Sequence, residues 1–157
     1  MTDITEQEDS LIEDGLIEDS LIEDRLIEDR LITAAIAAMG HAYAPYSNFP
    51  VGAAILDEAG SVHSGANVEN AAYPVGNCAE ASAIAAMIMA GRGQIIAIAV
   101  AGGDGKMLCT PCGACRQRIR EFAAPHTPVL ISGPDGLQRR FTLEELLPES
   151  FGPENLG

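Results

Sequence analysis

The chain has 157 residues, enough to bury one core and too few for two ordinary domains. Its formal net charge is −14, and residues 1–30 carry 12 of the 23 Asp and Glu residues against two Arg. Such an acidic chain repels phosphate backbones. We therefore expect no nucleic-acid partner and favour a small, diffusible substrate.

The start of the chain lacks a basic segment followed by an apolar stretch, and its apolar runs fall well short of the roughly 20 residues of a membrane span. We expect a soluble, cytoplasmic protein with no membrane partner. Three of the four cysteines, Cys109, Cys112 and Cys115, lie within seven residues. In a reducing cytosol such clustering indicates metal ligation more often than disulfides, and zinc is the leading candidate.

Residues 10–32 repeat a pentapeptide that contains Leu-Ile-Glu-Asp. Because five residues turn an α-helix by about 140°, the Leu-Ile pairs line no single side of a helix, and the carboxylates crowd one another. We expect residues 1–30 to form a disordered or loosely helical tail rather than a specific interaction arm. Residues 31–157 should form the single folded domain.

The folded domain shows alternating helix and strand patterns. The clearest are an Ala-, Ile- and Met-rich buried helix and, after it, a near-continuous apolar run typical of a strand covered on both faces. In chain order the predicted elements are a helix at 31–39, strands at 51–56 and 61–66, a helix at 79–90, a strand at 95–101, a helix at 113–122, and strands at 129–131 and 138–142. This order predicts an α/β fold.

Two short motifs carry chemistry, and each stands at the start of a predicted helix. The first is Cys78-Ala79-Glu80, and the second places Cys112 and Cys115 three residues apart after Pro111. Three thiolates would leave tetrahedral zinc one open position for water. A nearby carboxylate could take the proton of that water, and Glu80 is placed for this role. Either motif alone is weak evidence, but the pair matches the general signature of zinc deaminases.

The motifs and their surroundings resemble the cytidine deaminase family. The resemblance covers residues from about 31 to 156 and includes A-Y-A-P-Y-S-N-F-P-V-G-A-A, N-V-E-N-A-A-Y-P and L-L-P-E-S-F-G-P-E-N-L. It implies a three-layer α/β/α fold around a mixed five-stranded sheet, with one zinc per subunit. It also implies a homotetramer with shared active sites, and hydrolysis of cytidine or deoxycytidine to the uridine product and ammonia in pyrimidine salvage.

Carried over residue by residue, the resemblance implies roles for eight positions, and the backbone around Ala79 could add a ninth contact. Cys78, Cys112 and Cys115 would bind zinc, and Glu80 would shuttle protons. The substrate contacts would come from Phe49 against the base, Asn67 and Glu69 on the ribose hydroxyls, Ala79 at the polar edge of the base, and Phe151 reaching a neighbouring subunit. Asn67 and Glu69, two apart on an extended segment, would project to the same side.

One position departs from the family pattern. Many three-cysteine members carry an arginine after Cys-Ala-Glu, whereas this chain has Ala81. We hypothesise that the helix N-termini and Arg116 partly offset the thiolate charge instead. Cys109 could complete a closed four-cysteine structural zinc site, although Thr110 before Pro111 favours extended geometry that carries it off the following helix. We expect Cys109 to be a small thiol that does not bind the metal.

Three alternatives to the cytidine reading stay open at this point. A deaminase of a modified cytidine or a cytosine-nucleoside antibiotic would use the same catalytic groups. A nucleic-acid editing deaminase is disfavoured by charge and length. A structural zinc module without activity would leave Glu80 unexplained.

Overall fold

The structure is a computed structural model that describes residues 4–157, with side chains from residue 21 onward. Residues 1–3 and the side chains of residues 4–20, all in the predicted tail, lie outside this description. The chain separates into two compact units, Met1–Arg30 and Leu31–Gly157. The helices and strands in chain order are α1 (Ile4–Met39), β1 (Val51–Asp57), β2 (Val62–Ala66), α2 (Ala79–Met89), β3 (Ile95–Gly102), α3 (Gly113–Phe122), β4 (Pro128–Gly133), β5 (Gly136–Thr142) and α4 (Leu143–Leu146).

In the first unit, the helix α1 carries the pentapeptide repeat. Where side chains are described, Leu21, Ile22 and Leu26 are each more than half exposed. This part of the helix therefore buries no apolar stripe, as the five-residue spacing leads one to expect. Among the described residues, no helix combines the length and the apolar character needed to cross a membrane.

The second unit is built on a five-stranded sheet with the strand order β2-β1-β3-β4-β5. Strands β3 and β4 are parallel, and the other three neighbouring pairs are antiparallel. The connection between the two parallel strands contains α3, as a parallel crossover requires. The sheet is therefore mixed, in agreement with the predicted fold.

Helices pack on both faces of this sheet, and two glycines make the close approach possible. A Cβ at Gly52 would lie 2.3 Å from the backbone nitrogen of Met39, in the last part of α1. A Cβ at Gly65 would lie 2.3 Å from the backbone nitrogen of Ala83, in α2. Gly65 pairs with Ala53, the neighbour of Gly52, so the two contacts fall on opposite faces. The predicted three-layer α/β/α fold is confirmed.

A hydrophobic core lies between the sheet and the helices α2 and α3. Its fully buried members alternate along the central strands, as residues on one face of a pleated sheet must. They include Ala53, Ile55, Ile98, Val100, Val129, Ile131, Met87 and Ile119. The predicted elements all form. The sequence reading missed the short α4, which is stabilised by a capping box from Thr142 and Glu145.

Candidate active site

The first turns of α2 and α3 bring three cysteines together. Cys78 is the N-cap residue of α2, Cys112 is the N-cap residue of α3, and Cys115 lies in the first turn of α3. Their sulfur atoms all lie within 4.8 Å of one another. Tetrahedral zinc with Zn–S bonds of about 2.3 Å needs sulfurs about 3.8 Å apart. The observed limit of 4.8 Å allows that spacing, so the cluster fits Zn²⁺.

The three thiols differ in how readily they ionise. Burial is the main factor that raises the pKa of Cys78 and of Cys115, and the charge of Glu80 raises both further. For Cys112, burial opposes ionisation, but hydrogen bonds from the backbone and thiol of Cys115 outweigh it and lower its pKa. Because a metal ligand must be a thiolate, a divalent cation is needed to hold all three in the ionised form.

Glu80 lies in the first turn of α2 and is only 4% exposed. Its Oε2 accepts a hydrogen bond of 3.1 Å from the Cys115 thiol. The carboxylate is thus held directly against the sulfur cluster and shielded from bulk water. A buried carboxylate beside a metal cluster can exchange protons with whatever binds there.

A cavity of about 390 Å³ opens onto the cluster. Four residues predicted to contact substrate line it, together with Glu80 and two of the zinc-cluster cysteines. The four are Phe49, Asn67, Glu69 and Ala79. Phe49 is 46% exposed, and its ring edge would contact any Cβ added at Gly103. The volume falls within the range of small-molecule sites.

The side chains of Asn67 and Glu69 also hold the loop that carries Phe49. Asn67 accepts from the backbone of Val51 at 2.9 Å and donates to the carbonyl of Phe49 at 3.0 Å. One Glu69 oxygen accepts from the backbone of Tyr46 at 2.8 Å. The pKa of Glu69 is lowered, first by a side-chain hydrogen bond from Ser47 and then by the backbone N–H groups of Tyr46 and Ser47. The sequence reading assigned both residues to the sugar alone and missed this second role.

Arg116, the residue after Cys115, makes its hydrogen bonds to groups outside the cysteine cluster. Its guanidinium donates to the carbonyls of Pro111 and Leu146 at 2.7 Å each, and to Thr110 Oγ1 at 3.2 Å. Three of its five donors are thus committed to fixing the loop before α3 against the end of α4. The structure gives Arg116 an anchoring role at the edge of the cluster, and any effect on the thiolates acts through its charge at a distance.

Cys109 lines the cavity but does not belong to the three-sulfur group found among the described residues. It packs against Gly102, and burial raises its pKa to about 11. A neutral thiol in the wall agrees with the expectation that Cys109 does not bind the metal. It also weighs against the closed four-cysteine site.

The C-terminal segment is tied to α3, and Phe151 faces outward from it. Gln117 donates to the Phe151 carbonyl at 2.9 Å, and Arg120 bonds to Ser150 and Glu154. The Phe151 side chain is 58% exposed. Among the described residues, it is not one of those that line the cavity of its own chain.

The sequence reading missed several cavity residues. Tyr73, Asn77 and Thr110 also line the cavity. A second cavity of about 300 Å³ adjoins the first, shares Glu69 and Tyr73 with it, and is also lined by Tyr46. Tyr73 belongs to the N-V-E-N-A-A-Y-P run and Asn77 directly precedes Cys78, so both stood beside recognised motifs, but the direction that each side chain faces depends on the fold.

Comparison with known proteins agrees with this geometry. Residues 27–131 match the family model of the cytidine and deoxycytidylate deaminase zinc-binding region. A cytidine deaminase from Halalkalibacterium halodurans is 45% identical over 122 residues, which are 78% of this chain and 92% of that protein. A cytidine deaminase from Mycobacterium tuberculosis is 41% identical over 122 residues, 78% of this chain and 87% of that protein.

Solved structures give the same result. The crystal structure of cytidine deaminase from Burkholderia pseudomallei is 45% identical, covers 78% of this chain and 97% of its own, and has a TM-score of 0.73. That of cytidine deaminase from Mycobacterium leprae is 42% identical, covers 77% and 97%, and has a TM-score of 0.64. With the cysteine cluster and the cavity in the matching region, the chain belongs to the cytidine deaminase family.

Proposed function

We propose that this chain hydrolyses cytidine and deoxycytidine to uridine and deoxyuridine with release of ammonia. One observation carries the proposal. A buried carboxylate, Glu80, contacts a three-cysteine cluster in the same cavity that holds an aromatic side chain and two polar side chains. Family membership supports the same activity. It does not favour the antibiotic deaminase or the inactive zinc module as alternatives.

Cys78, Cys112 and Cys115 would hold one Zn²⁺. When bound, zinc lowers the pKa of a coordinated water toward about 7 and so supplies a nucleophile at neutral pH. The helix N-termini at Cys78 and Cys112 favour the thiolate forms, because their free N–H groups carry partial positive charge. The chain thus provides both the ligands and part of the charge compensation.

Glu80 would move the protons. Ligation by Cys115 requires loss of its thiol proton, so the Glu80 carboxylate loses this hydrogen-bond donor and can accept a proton from water. It would pass one proton to the ring nitrogen next to C4 and help the C4 amino group leave as ammonia. Burial at 4% exposure keeps bulk water from competing for that proton.

The cavity wall would select a nucleoside. Phe49 offers an aromatic face to the pyrimidine, and Asn67 and Glu69 would bind the ribose hydroxyls with the hydrogen-bonding capacity left after their loop contacts. Backbone groups near Ala79 would read the polar edge of the base. A site built around hydroxyl groups discriminates strongly against analogues that lack them, since its own polar groups then stay unpaired.

The proposed assembly is a homotetramer with shared active sites. The exposed ring of Phe151, on a segment anchored by Gln117, supports a contact with a neighbouring subunit's site. Four free cysteines support a reducing, cytoplasmic compartment, where such an enzyme would serve pyrimidine salvage. Sedimentation equilibrium would test the assembly: a monomeric, fully active enzyme would overturn it.

The activity test is the ultraviolet absorbance change on mixing zinc-assayed protein with cytidine. Cytidine and deoxycytidine should both be converted, with ammonia released in equal amount to uridine. A panel of larger, modified cytidines tests the substrate range. A zinc-loaded protein that is inert toward cytidine and deoxycytidine, but active on a modified analogue, would replace the proposal with the altered-substrate enzyme.

We further propose that residues 1–30 are an appendage to the deaminase domain of residues 31–157. The exposed Leu and Ile side chains between residues 21 and 26 support this division. Removing residues 1–25 should leave kcat/KM for cytidine within about twofold. Loss of the tetramer in the shortened chain would contradict it and would give the repeat a role in assembly.

A further inference from the structure

We propose that Ser82 is a positioning residue that holds the zinc-ligand end of α2 in register with the segment carrying Asn67 and Glu69. The inference rests on the proposed function, because it assigns the coupling between its metal and sugar subsites. Ser82 lies one turn after Cys78, on the side of α2 that faces β2. Its side chain contacts neither the cysteine sulfurs nor the substrate cavity in the described contacts.

The Ser82 hydroxyl joins three separate points of the chain. It accepts a hydrogen bond of 3.0 Å from Asn77 Nδ2. Its single proton is directed toward two carbonyls, that of Ala66 at 3.1 Å and that of Cys78 at 3.3 Å. The second of these belongs to a zinc ligand, and the first belongs to the residue immediately before Asn67. One hydroxyl therefore tethers both subsites.

Backbone bonds extend the tether to the substrate segment. Val68, between the two proposed sugar-binding residues, exchanges both backbone hydrogen bonds with Asn77, each of 2.9 Å. Asn77 in turn precedes Cys78. The side chain of Asn77 on Ser82 and its backbone on Val68 together fix the spacing between the sugar-binding segment and the first zinc ligand.

Tight packing between α2 and β2 leaves little room for this spacing to vary. A Cβ at Gly65 would lie 2.3 Å from the Ala83 nitrogen and 2.6 Å from the Ala79 carbonyl oxygen, so the two backbones are already in contact. Without the hydrogen bonds of Ser82, we expect these two backbones to shift slightly relative to one another. Misplacement of reacting groups by about 1 Å can cost about 100-fold in rate.

The test compares Ser82→Ala with Ser82→Thr, which keeps the hydroxyl, and with Ser64→Ala, the same kind of change on the exposed part of β2. Ser82→Ala should retain one zinc per chain and lose about tenfold in kcat/KM for cytidine, mainly through KM. Ser82→Thr should recover to within about twofold, and Ser64→Ala should match the wild type. Equal kinetics for Ser82→Ala and the wild type would overturn the proposal.

A double-mutant cycle separates positioning from a general loss of stability. In a Glu69→Gln background, Ser82→Ala should cost less than about twofold, because the contact that it positions is already impaired. An undiminished tenfold cost would show that Ser82 acts elsewhere and would contradict the inference.

Hydrogen exchange gives a readout that needs no catalysis. The amides of Val68 and Asn77 should exchange about tenfold faster in Ser82→Ala than in Ser82→Thr or Ser64→Ala, with core amides of β3 unchanged. Unchanged exchange at these two amides would overturn the tether even in an active enzyme. A wild type that does not convert cytidine would instead refute the proposed function, while this measurement would still decide the role of Ser82.

Discussion

Strand β1 begins at Val51, in the wall of the zinc cavity, and ends at Asp57, about 20 Å away. At the far end, the Asp57 side chain is fully buried, and the chain satisfies it completely. It accepts bonds of 2.8 Å from the backbone of Ala59 and of Ser61, and one of 2.7 Å from His63 Nε2. Arg92 lies 3.6 Å away.

At the zinc end of this strand, the groups that can carry negative charge are arranged differently. Cys78, Cys112, Cys115 and Glu80 are four groups that can become anionic, and they converge on one point. Arg116, next to Cys115 in the sequence, donates to the carbonyls of Pro111 and Leu146. The contrast teaches that a buried acidic group with a full set of donors from its own chain is structural. A converging set of acidic groups without such donors is a metal site.

Loss of one ligand should give the largest effect. Loss of an outer-shell partner already costs about 10- to 100-fold in metal affinity, so Cys115→Ser should cost at least about 100-fold and should abolish turnover. Cys109→Ser is the matched control, and it should keep one zinc per chain. Metal analysis after dialysis measures both. Zinc loss from Cys109→Ser equal to that from Cys115→Ser would instead support a site in which Cys109 is a fourth ligand.

Gly65→Ala should disturb the zinc end through the backbone of α2. The new Cβ meets the Ala83 nitrogen and the Ala79 carbonyl, so the helix must shift, at a cost of about 3 kcal/mol in the free energy of unfolding. Zinc affinity should fall with it. Gly93→Ala, where nothing lies within 4 Å, is the control for the loss of glycine. Chemical denaturation that places both variants at the wild-type midpoint would refute the close approach.

Asp57→Asn should damage stability alone. The amide puts an NH₂ group where the Oδ2 oxygen accepted from His63, so that bond is lost unless His63 changes tautomer, and the charge of the carboxylate is lost in either case. We expect a lower unfolding temperature with zinc content and kcat/KM unchanged. Asp135→Asn, on an exposed turn, should unfold like the wild type. A fall in zinc content for Asp57→Asn would show that the two ends of β1 are not independent of each other.

The smallest effect concerns pH. The hydrogen bond from His63 is the largest cause that lowers the pKa of Asp57, and the backbone of Ser61 and Ala59 adds to it. A lowered carboxyl pKa contributes stability above the unfolded value of about 3.9 and loses it as the pH falls through the folded value. The stability gap between wild type and Asp57→Asn should hold from pH 7 to about pH 4 and then shrink. A gap that widens on acidification would contradict the assignment.

Much of the zinc site followed from the sequence because its signals are local. Cys112 and Cys115 lie three residues apart at the start of α3, so their spacing sets their relative directions, and Cys78 stands at the matching N-cap position of α2. The Asp57 cluster could not be predicted, since His63 and Arg92 approach from separate elements. The loop contacts of Asn67 likewise depend on where the sheet carries Phe49.

The tether at Ser82 shows the same limit. Its hydroxyl reaches Ala66 only because α2 packs closely on β2, and no spacing in the sequence encodes that distance. Sequence patterns thus predicted the elements and the ligands. The contacts that hold separate elements in register needed the three-dimensional arrangement.

The most direct test of the central claim is turnover of cytidine by Glu80→Gln, with zinc measured in the same preparation. Glu121→Gln, the same change on the exposed face of α3, is the control. We predict one zinc per chain in both, normal turnover in the control, and a loss of about 1,000-fold or more in Glu80→Gln, near the upper range for general acid–base catalysis. Turnover within about tenfold of wild type, with zinc retained, would contradict the account.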